Sequence, residues 1–285
     1  MIARIEGVNT GVIHNDSEFT ALALKVRTDA GSTPLFFIPA LALRDIFISL
    51  EYCLHLQGLK APAEQAALAA RQQEAFRQMA DNIPPLEKAE LIQGDTGLRV
   101  SAVEPDFSRE GETGLTLFTG DGSSATLRLD AAQIPLFITA ASRAIQNAGM
   151  HALSLRLSSL LDFLPLYDAD FISEARLEYD TYTHPAWKLA LFNRTLALVY
   201  HYADAQGEER SCATIVKTRA SSEESKMQAI ARRLLAFSPR LSKLESRPCR
   251  VSVRALEVTA GEPSLDDCLK AVCLLRHETI AAAAE

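Results

Sequence analysis

The sequence predicts an α+β fold in which an antiparallel β-meander followed by one amphipathic helix is repeated, giving two similar halves. Short runs alternate between apolar and polar residues, which is the period of a half-buried strand. Clusters of Gly, Asp and Ser separate these runs and are typical of tight turns. Longer segments then carry apolar residues at helical spacing. We expect an N-terminal half at residues 1–150 and a C-terminal half at residues 151–285.

The first copy of this unit lies near the N-terminus. Residues 19–26 and 33–38 predict two strands joined by a turn at residues 29–32. Pro39 suits the first turn of the next helix, because its missing N–H loses no partner there. Gly58 is placed to end that helix.

Two fuller copies follow. Residues 86–149 predict four strands and then a helix, and residues 88–93 and 98–103 form the first hairpin of this copy. Residues 174–237 predict a similar order of strands and helix. A partial copy, with one strand and one helix, ends the chain.

Two segments depart from the repeat. Residues 61–83 are rich in Ala, Gln, Glu and Arg and predict a helical insert on the outside of the N-terminal half. Residues 160–172 mix large apolar residues with aspartates, and we interpret them as the connection between the halves. Asp168 and Asp170 form an Asp-x-Asp pair in this segment. The Gly and distal Glu of a calcium loop do not follow, so we expect a solvated loop.

Composition limits the class of protein. The 285 residues are 48% hydrophobic and 23% charged, which is ordinary for a globular chain. The most apolar run covers residues 35–43, whereas a bilayer span needs about 20 apolar residues. The N-terminus lacks the apolar stretch of a secretory signal, and the five cysteines form no Cys-x-x-Cys pair. We therefore expect a cytoplasmic protein without a membrane segment, a metal or a cofactor.

Catalytic signatures are missing from the sequence. It contains neither the phosphate-loop pattern nor the Gly-x-Ser-x-Gly turn of hydrolases. Its six histidines show no His-x-x-x-His spacing. We assign no catalytic and no metal-binding residue from the sequence. An active site assembled from dispersed residues stays open as an alternative.

Charge is unevenly distributed along the chain. The formal net charge is −7, yet residues 217–254 contain ten basic and only three acidic residues. A basic face on an otherwise acidic protein favours binding to nucleic acid or another anion. The alternative is that these charges point in several directions. The candidate binding residues are Arg232, Arg233, Arg240, Lys243, Arg247, Arg250 and Arg254.

Two short stretches near the N-terminus carry a family resemblance. Gly-Val-Ile-His-Asn-Asp-Ser-Glu-Phe begins at Gly11, and Pro-Leu-Phe-Phe-Ile-Pro begins at Pro34. With these stretches, the region from Gly7 to Leu54 resembles the enterobacterial YjeJ-type proteins of similar length. The resemblance implies a bacterial cytoplasmic protein. It implies no activity and assigns no functional residue.

We interpret the chain as a non-enzymatic accessory protein that acts through protein–protein contacts, either with another protein or with itself. The regular layout and the missing catalytic patterns favour this interpretation. Two alternatives stay open. One is nucleic-acid binding through the basic residues 217–254, and the other is an enzyme whose site is assembled from dispersed residues.

Overall fold

The structure is a computed structural model of the chain. It describes residues 2–16, 18–151, 153, 157, 161–173, 176–219, 224–236, 238–256 and 263–284. The chain divides into two compact units, residues 1–161 (unit 1) and residues 162–285 (unit 2). Residues 160, 174 and 237, at which predicted segments begin or end, lie outside the described residues.

Unit 1 is built around a six-stranded sheet with the strand order β3-β2-β1-β6-β5-β4. Its strands are β1 (Ile2–Asn15), β2 (Glu18–Thr28), β3 (Leu35–Ile38), β4 (Val100–Asp106), β5 (Glu112–Thr119) and β6 (Ser124–Asp130). Its helices are α1 (Ala40–Gly58), α2 (Pro62–Asp81), α3 (Lys88–Ile92) and α4 (Ile134–Asn147). Neighbouring strands are antiparallel except β1 and β6, which pair in parallel. Two antiparallel meanders are therefore joined through this parallel pair.

The apolar spacing of α1 explains how the sheet of unit 1 is covered. Leu43, Ile46 and Leu50 recur at intervals of three and four residues and are fully buried. Leu22 and Leu24 of β2 belong to the same core, and α4 packs into it as well. Burying each such side chain contributes about 1.5–3 kcal/mol, so the sheet and its helices stabilise each other.

Unit 2 contains a five-stranded antiparallel sheet with the order β11-β9-β10-β7-β8. Its strands are β7 (Phe163–Ser173), β8 (Arg176–Thr181), β9 (Arg194–Ala203), β10 (Glu209–Thr218) and β11 (Arg250–Leu256). Its helices are α5 (Ala186–Ala190), α6 (Glu224–Leu234) and α7 (Leu265–Ala284). Leu198 and Tyr200 pack on the α6 side, whereas Ala197 and Val199 pack on the α7 side. Since successive side chains of a strand point to opposite faces, β9 is buried on both.

The α+β class with antiparallel meanders is confirmed. Residues 88–93, expected as a strand, instead form α3, because Glu87 and Glu90 make a reciprocal capping box at its start. The copy at residues 86–149 therefore has three strands before its final helix. The two sheets differ in strand number and order, so the internal repeat stays a prediction. No helix in the described part of the chain has the length and hydropathy needed to cross a membrane.

Candidate functional site

The seven basic residues singled out by the sequence all lie in unit 2. Two are near the end of α6, three follow in the segment between α6 and β11, and two are on β11. In chain order they are Arg232, Arg233, Arg240, Lys243, Arg247, Arg250 and Arg254.

Four of these residues are neutralised by carboxylates of the same unit. Arg240 donates from Nη1 to Asp170 Oδ2 at 2.9 Å and from Nε to Asp180 Oδ2 at 2.5 Å. Lys243 Nζ donates to the other oxygen of Asp170 at 2.6 Å. The remaining two ion pairs join Arg233 to Asp162 and Arg254 to Glu278. Carboxylates of unit 2 therefore already bind a large part of the predicted basic segment.

The other three residues are exposed. Arg232 and Arg247 have no ion-pair partner within the described ranges of the chain. Among the same residues, Arg250 makes a long contact of 3.4 Å, from Nη2 to the carbonyl oxygen of Thr279. The structure thus brings Arg240 and Lys243 together around one carboxylate. Arg233 and Arg254 have separate partners, and Arg232 and Arg247 have no ion-pair partner in the part of the chain that the structure describes.

The carboxylates that bind Arg240 and Lys243 belong to an acidic row across two strands. Asp168 and Asp170 lie two residues apart on β7, so they share one face of the sheet, and Asp180 on β8 pairs with Asp168. The expected solvated loop is wrong, because Asp168 is 0% exposed and β7 is an interior strand. The connection expected at residues 160–172 is therefore mostly strand. The apolar residues that surround the two aspartates were the available signal.

Asp168 fastens the segment after α6 to the sheet. Its Oδ2 accepts hydrogen bonds from Tyr182 Oη at 2.6 Å and from Ser238 Oγ at 2.5 Å. Burial raises the pKa of Tyr182, and the hydrogen bond to Asp168 raises it further to a smaller extent. Ser238 Oγ in turn accepts from the backbone N–H of Leu241. Because Ser238 is only 2% exposed, this arrangement is a clamp and does not present a nucleophile to a substrate.

The ion pairs around Arg240 reinforce this clamp electrostatically. The hydrogen bond from Arg240 lowers the pKa of Asp180, and that bond likewise raises the pKa of Arg240. Burial alone would lower the pKa of Lys243, but the bond and charge of Asp170 outweigh it and raise the pKa. Asp180, Arg240 and Lys243 therefore stay charged at neutral pH. No group of three or more His, Cys, Asp or Glu among the described side chains is arranged to hold a metal ion.

A cleft of about 500 Å³ lies in unit 2 near the turn between β9 and β10 and the start of β11. His201 lines it and is 4% exposed. Its Nδ1 is 3.1 Å from Ser211 Oγ, while its Nε2 is buried and has no partner among the described atoms. Glu209 and Arg250 also line this cleft. No sequence pattern marks this cleft, because a single histidine on a strand has no characteristic spacing.

A second concave surface, the α2/α4 groove, lies in unit 1 and has a volume of about 580 Å³. Phe76 of α2 lines it and remains 57% exposed. The groove is lined by Ala69, Gln72, Gln73, Phe76, Arg77, Ala132, Pro135, Leu136 and Thr139. Its α2 residues recur at three- and four-residue intervals, which places them on one side of the helix.

Comparisons with known proteins extend the resemblance seen near the N-terminus. The chain matches the family described as YjeJ-like over residues 1–282. A relative from Escherichia coli (strain K12), which carries the name "Uncharacterized protein YjeJ", is 39% identical over 280 residues. This match covers 98% of the chain and 97% of the relative. No solved structure matches the chain. The expected resemblance is confirmed, and the chain belongs to the YjeJ-like family.

Proposed function

We propose that the protein is a non-enzymatic binding protein that holds an apolar segment of a partner protein in the α2/α4 groove. The observation that carries this proposal is Phe76, a large apolar side chain that is 57% exposed and lines a groove. Partly exposed aromatic residues in concave surfaces are typical anchor points of protein interfaces.

The weak packing of α2 supports this role. Met79 is its only buried residue among the 20 that form the helix. Most of the stability of a helix in a protein comes from tertiary packing, so the few tertiary contacts of α2 matter. Arg71 supplies one of them through a two-bond ion pair with Asp130 of β6, at 2.8 and 2.6 Å. The helix is thus fixed at a few points, and much of its surface is left for a partner.

The lining of the groove indicates the chemistry of that partner. Apolar side chains come from both helices, with Ala69 and Phe76 on α2 and Pro135 and Leu136 on α4. Amide, hydroxyl and guanidinium groups complete the lining. An amphipathic helix or an apolar loop of a partner matches such a surface. The partner is a second copy of this chain or another protein, and measurement of the oligomeric state distinguishes them.

The test compares two substitutions that add the same charge to α2. Phe76→Asp places a carboxylate in the groove. Ala67→Asp places it on an exposed residue nearly opposite Ala69 around the helix. Light scattering measures self-association, and cross-linking with mass spectrometry identifies another partner and its contact site. We expect Phe76→Asp to weaken the complex by a factor of about 30 or more and Ala67→Asp to leave it unchanged. Equal binding by the two variants would refute the proposal.

We further propose that the protein works in the cytoplasm. Cys53, Cys212 and Cys268 are buried free thiols, and Cys249 and Cys273 are partly exposed free thiols. Free thiols persist in a reducing compartment and tend to form disulfides in an oxidising one. Fractionation of cells that produce the protein, with thiol counting in each fraction, tests this location.

Nucleic-acid binding stays a prediction, and fewer basic residues are available for it because four of the seven candidates form ion pairs within unit 2. The side chains of Arg232 and Arg247 are exposed and have neither an ion pair nor a hydrogen bond within the described ranges. An anisotropy titration at low salt against single- and double-stranded DNA and RNA measures binding. If phosphate contacts form, affinity falls steeply with salt, and reversing both charges with Glu weakens it. Arg143→Glu, at an exposed arginine of unit 1, is the control.

A further inference from the structure

The cleft beside His201 contains a buried imidazole whose hydrogen bonding is incomplete. Ser211, opposite His201 in the β9–β10 pair, lies within hydrogen-bond distance of Nδ1 at 3.1 Å. Nε2 is buried without a partner in the part of the chain that the structure describes. Buried polar atoms of native proteins are nearly always hydrogen-bonded, to protein, water or a ligand. The unpaired nitrogen therefore points to a missing partner at the cleft.

The charges around His201 indicate what kind of partner fits. Arg250 of β11 pairs with His201 across the sheet, is exposed and lines the cleft. Arg276 of α7 adds a second guanidinium, and its Nε is also buried without a partner among the described atoms. Glu209 is the opposing charge that lines the same cleft. Donors thus outnumber acceptors around His201.

The protonation state of the imidazole agrees with this arrangement. Burial lowers the pKa of His201, and the charges of Arg250 and Arg276 lower it further, while Glu209 opposes them. The imidazole is therefore neutral at neutral pH and carries one proton. If the Ser211 hydroxyl donates to Nδ1, that proton lies on Nε2, where it can be donated to an acceptor.

We propose that this cleft binds a small molecule through an anionic group, a carboxylate or a phosphate, which the exposed Arg250 guanidinium holds and which a small movement of the His201 ring brings within hydrogen-bond distance of Nε2. Arginine binds both groups through paired charge-assisted hydrogen bonds. The cleft is open to solvent, and its volume of about 500 Å³ leaves room for a small molecule. Ala203 and Pro248, which lie two residues from His201 and Arg250 along the chain, provide apolar surface for the remainder of the molecule. This site is independent of the α2/α4 groove, so either proposal can fail alone.

The experiment follows the imidazole of His201 by NMR while inorganic phosphate or acetate is added to the full chain. Sodium chloride at matched ionic strength is the reference, and the two anions distinguish phosphate from carboxylate recognition. We expect one of them to move the His201 resonances along a saturable curve and to raise the melting temperature above the chloride reference. His201→Asn identifies the resonances. Should that variant fail to fold, selective histidine labelling and the exposed Arg250 variant replace it.

Two arginine variants decide whether the site is specific. Arg250→Gln removes the proposed anion-binding guanidinium, and Arg247→Gln removes an exposed charge three residues away that does not line the cleft. We expect the first to weaken binding at least about tenfold and the second to leave it unchanged. The proposal is overturned if neither anion changes the His201 resonances or the melting temperature more than chloride does. It is equally overturned if both variants bind like the original protein.

Discussion

Replacing Gly7 by Ala should destabilise unit 1 strongly, because β1 lies against the end of α2 at this residue. A Cβ atom at residue 7 would lie 1.9 Å from the carbonyl oxygen and 2.4 Å from the carbonyl carbon of Asn82. Both are backbone atoms, so the clash cannot be relieved by rotating a side chain. The strand or the end of the helix must move by about 1 Å or more to restore an ordinary contact.

The expected cost follows from two opposing effects. Overpacking of a closely packed site costs about 1–3 kcal/mol, and a clash between backbone atoms belongs at the upper end. Ala restricts the unfolded chain more than Gly does, and this stabilises the folded protein by about 0.5–1 kcal/mol, which offsets part of the cost. We therefore expect Gly7→Ala to lower the free energy of unfolding by about 2 kcal/mol. For a unit of this size, that corresponds to a fall of about 4–8 °C in melting temperature.

Urea unfolding followed by far-UV circular dichroism measures this loss, and hydrogen exchange with mass spectrometry assigns it to unit 1. Fluorescence of Trp187, the only tryptophan, reports on unit 2 instead. Gly11→Ala on the same strand is the control. Its Cβ would meet the Leu86 side chain at 3.3 Å, and a flexible side chain can adjust. We expect that variant to stay within about 1 kcal/mol of the original protein. Equal stabilities of the two variants would refute the reasoning.

Three further outcomes are expected. A thiol reagent at pH 8 should label only Cys249 and Cys273 in the native protein, because the other three thiols are buried out of its reach, although burial raises the pKa of all five; rapid labelling of all five would contradict this. The bond from Arg240 holds the pKa of Asp180 below its ordinary value of 3.8, so its stabilisation is present above that pH and lost as pH falls further. Asp180→Asn should therefore flatten acid unfolding below about pH 4, and an unchanged acid transition would argue against the pairing. Arg71→Ala should speed hydrogen exchange in α2 while costing less than about 1 kcal/mol overall, and unchanged exchange would mean that other contacts hold this helix.

The sequence predicts the α+β class because strand alternation and helical spacing are local properties. Local sequence patterns gave wrong predictions where residues distant in the chain determine the structure. Asp168 and Asp170 suggested a loop, although their neighbours are apolar. An aspartate in an interior strand needs hydrogen-bond or ion-pair partners, and the sequence does not show them. Those partners are distant: Lys243 reaches Asp170 across 73 residues.

The candidate site was hidden for the same reason. The pairing of β9 with β11 brings His201 opposite Arg250, and no spacing rule connects residues so far apart in the chain. The basic segment was visible in composition, but its neutralisation by carboxylates from β7, β8 and α7 was not. Phe76 lies within the helical insert that the sequence predicts at residues 61–83. Its exposure beside α4 required the fold.

The parallel pairing of β1 with β6 affects how unit 1 is made by the ribosome. The first strand pairs with β2 soon after it emerges. Its other edge stays unpaired until residues 126–128 of β6 have been synthesised. At 5–20 residues per second, that edge stays open for roughly 6 to 23 s. During this interval the nascent chain presents unpaired backbone groups of β1 to other chains. A chaperone that covers this edge should raise the yield of folded protein.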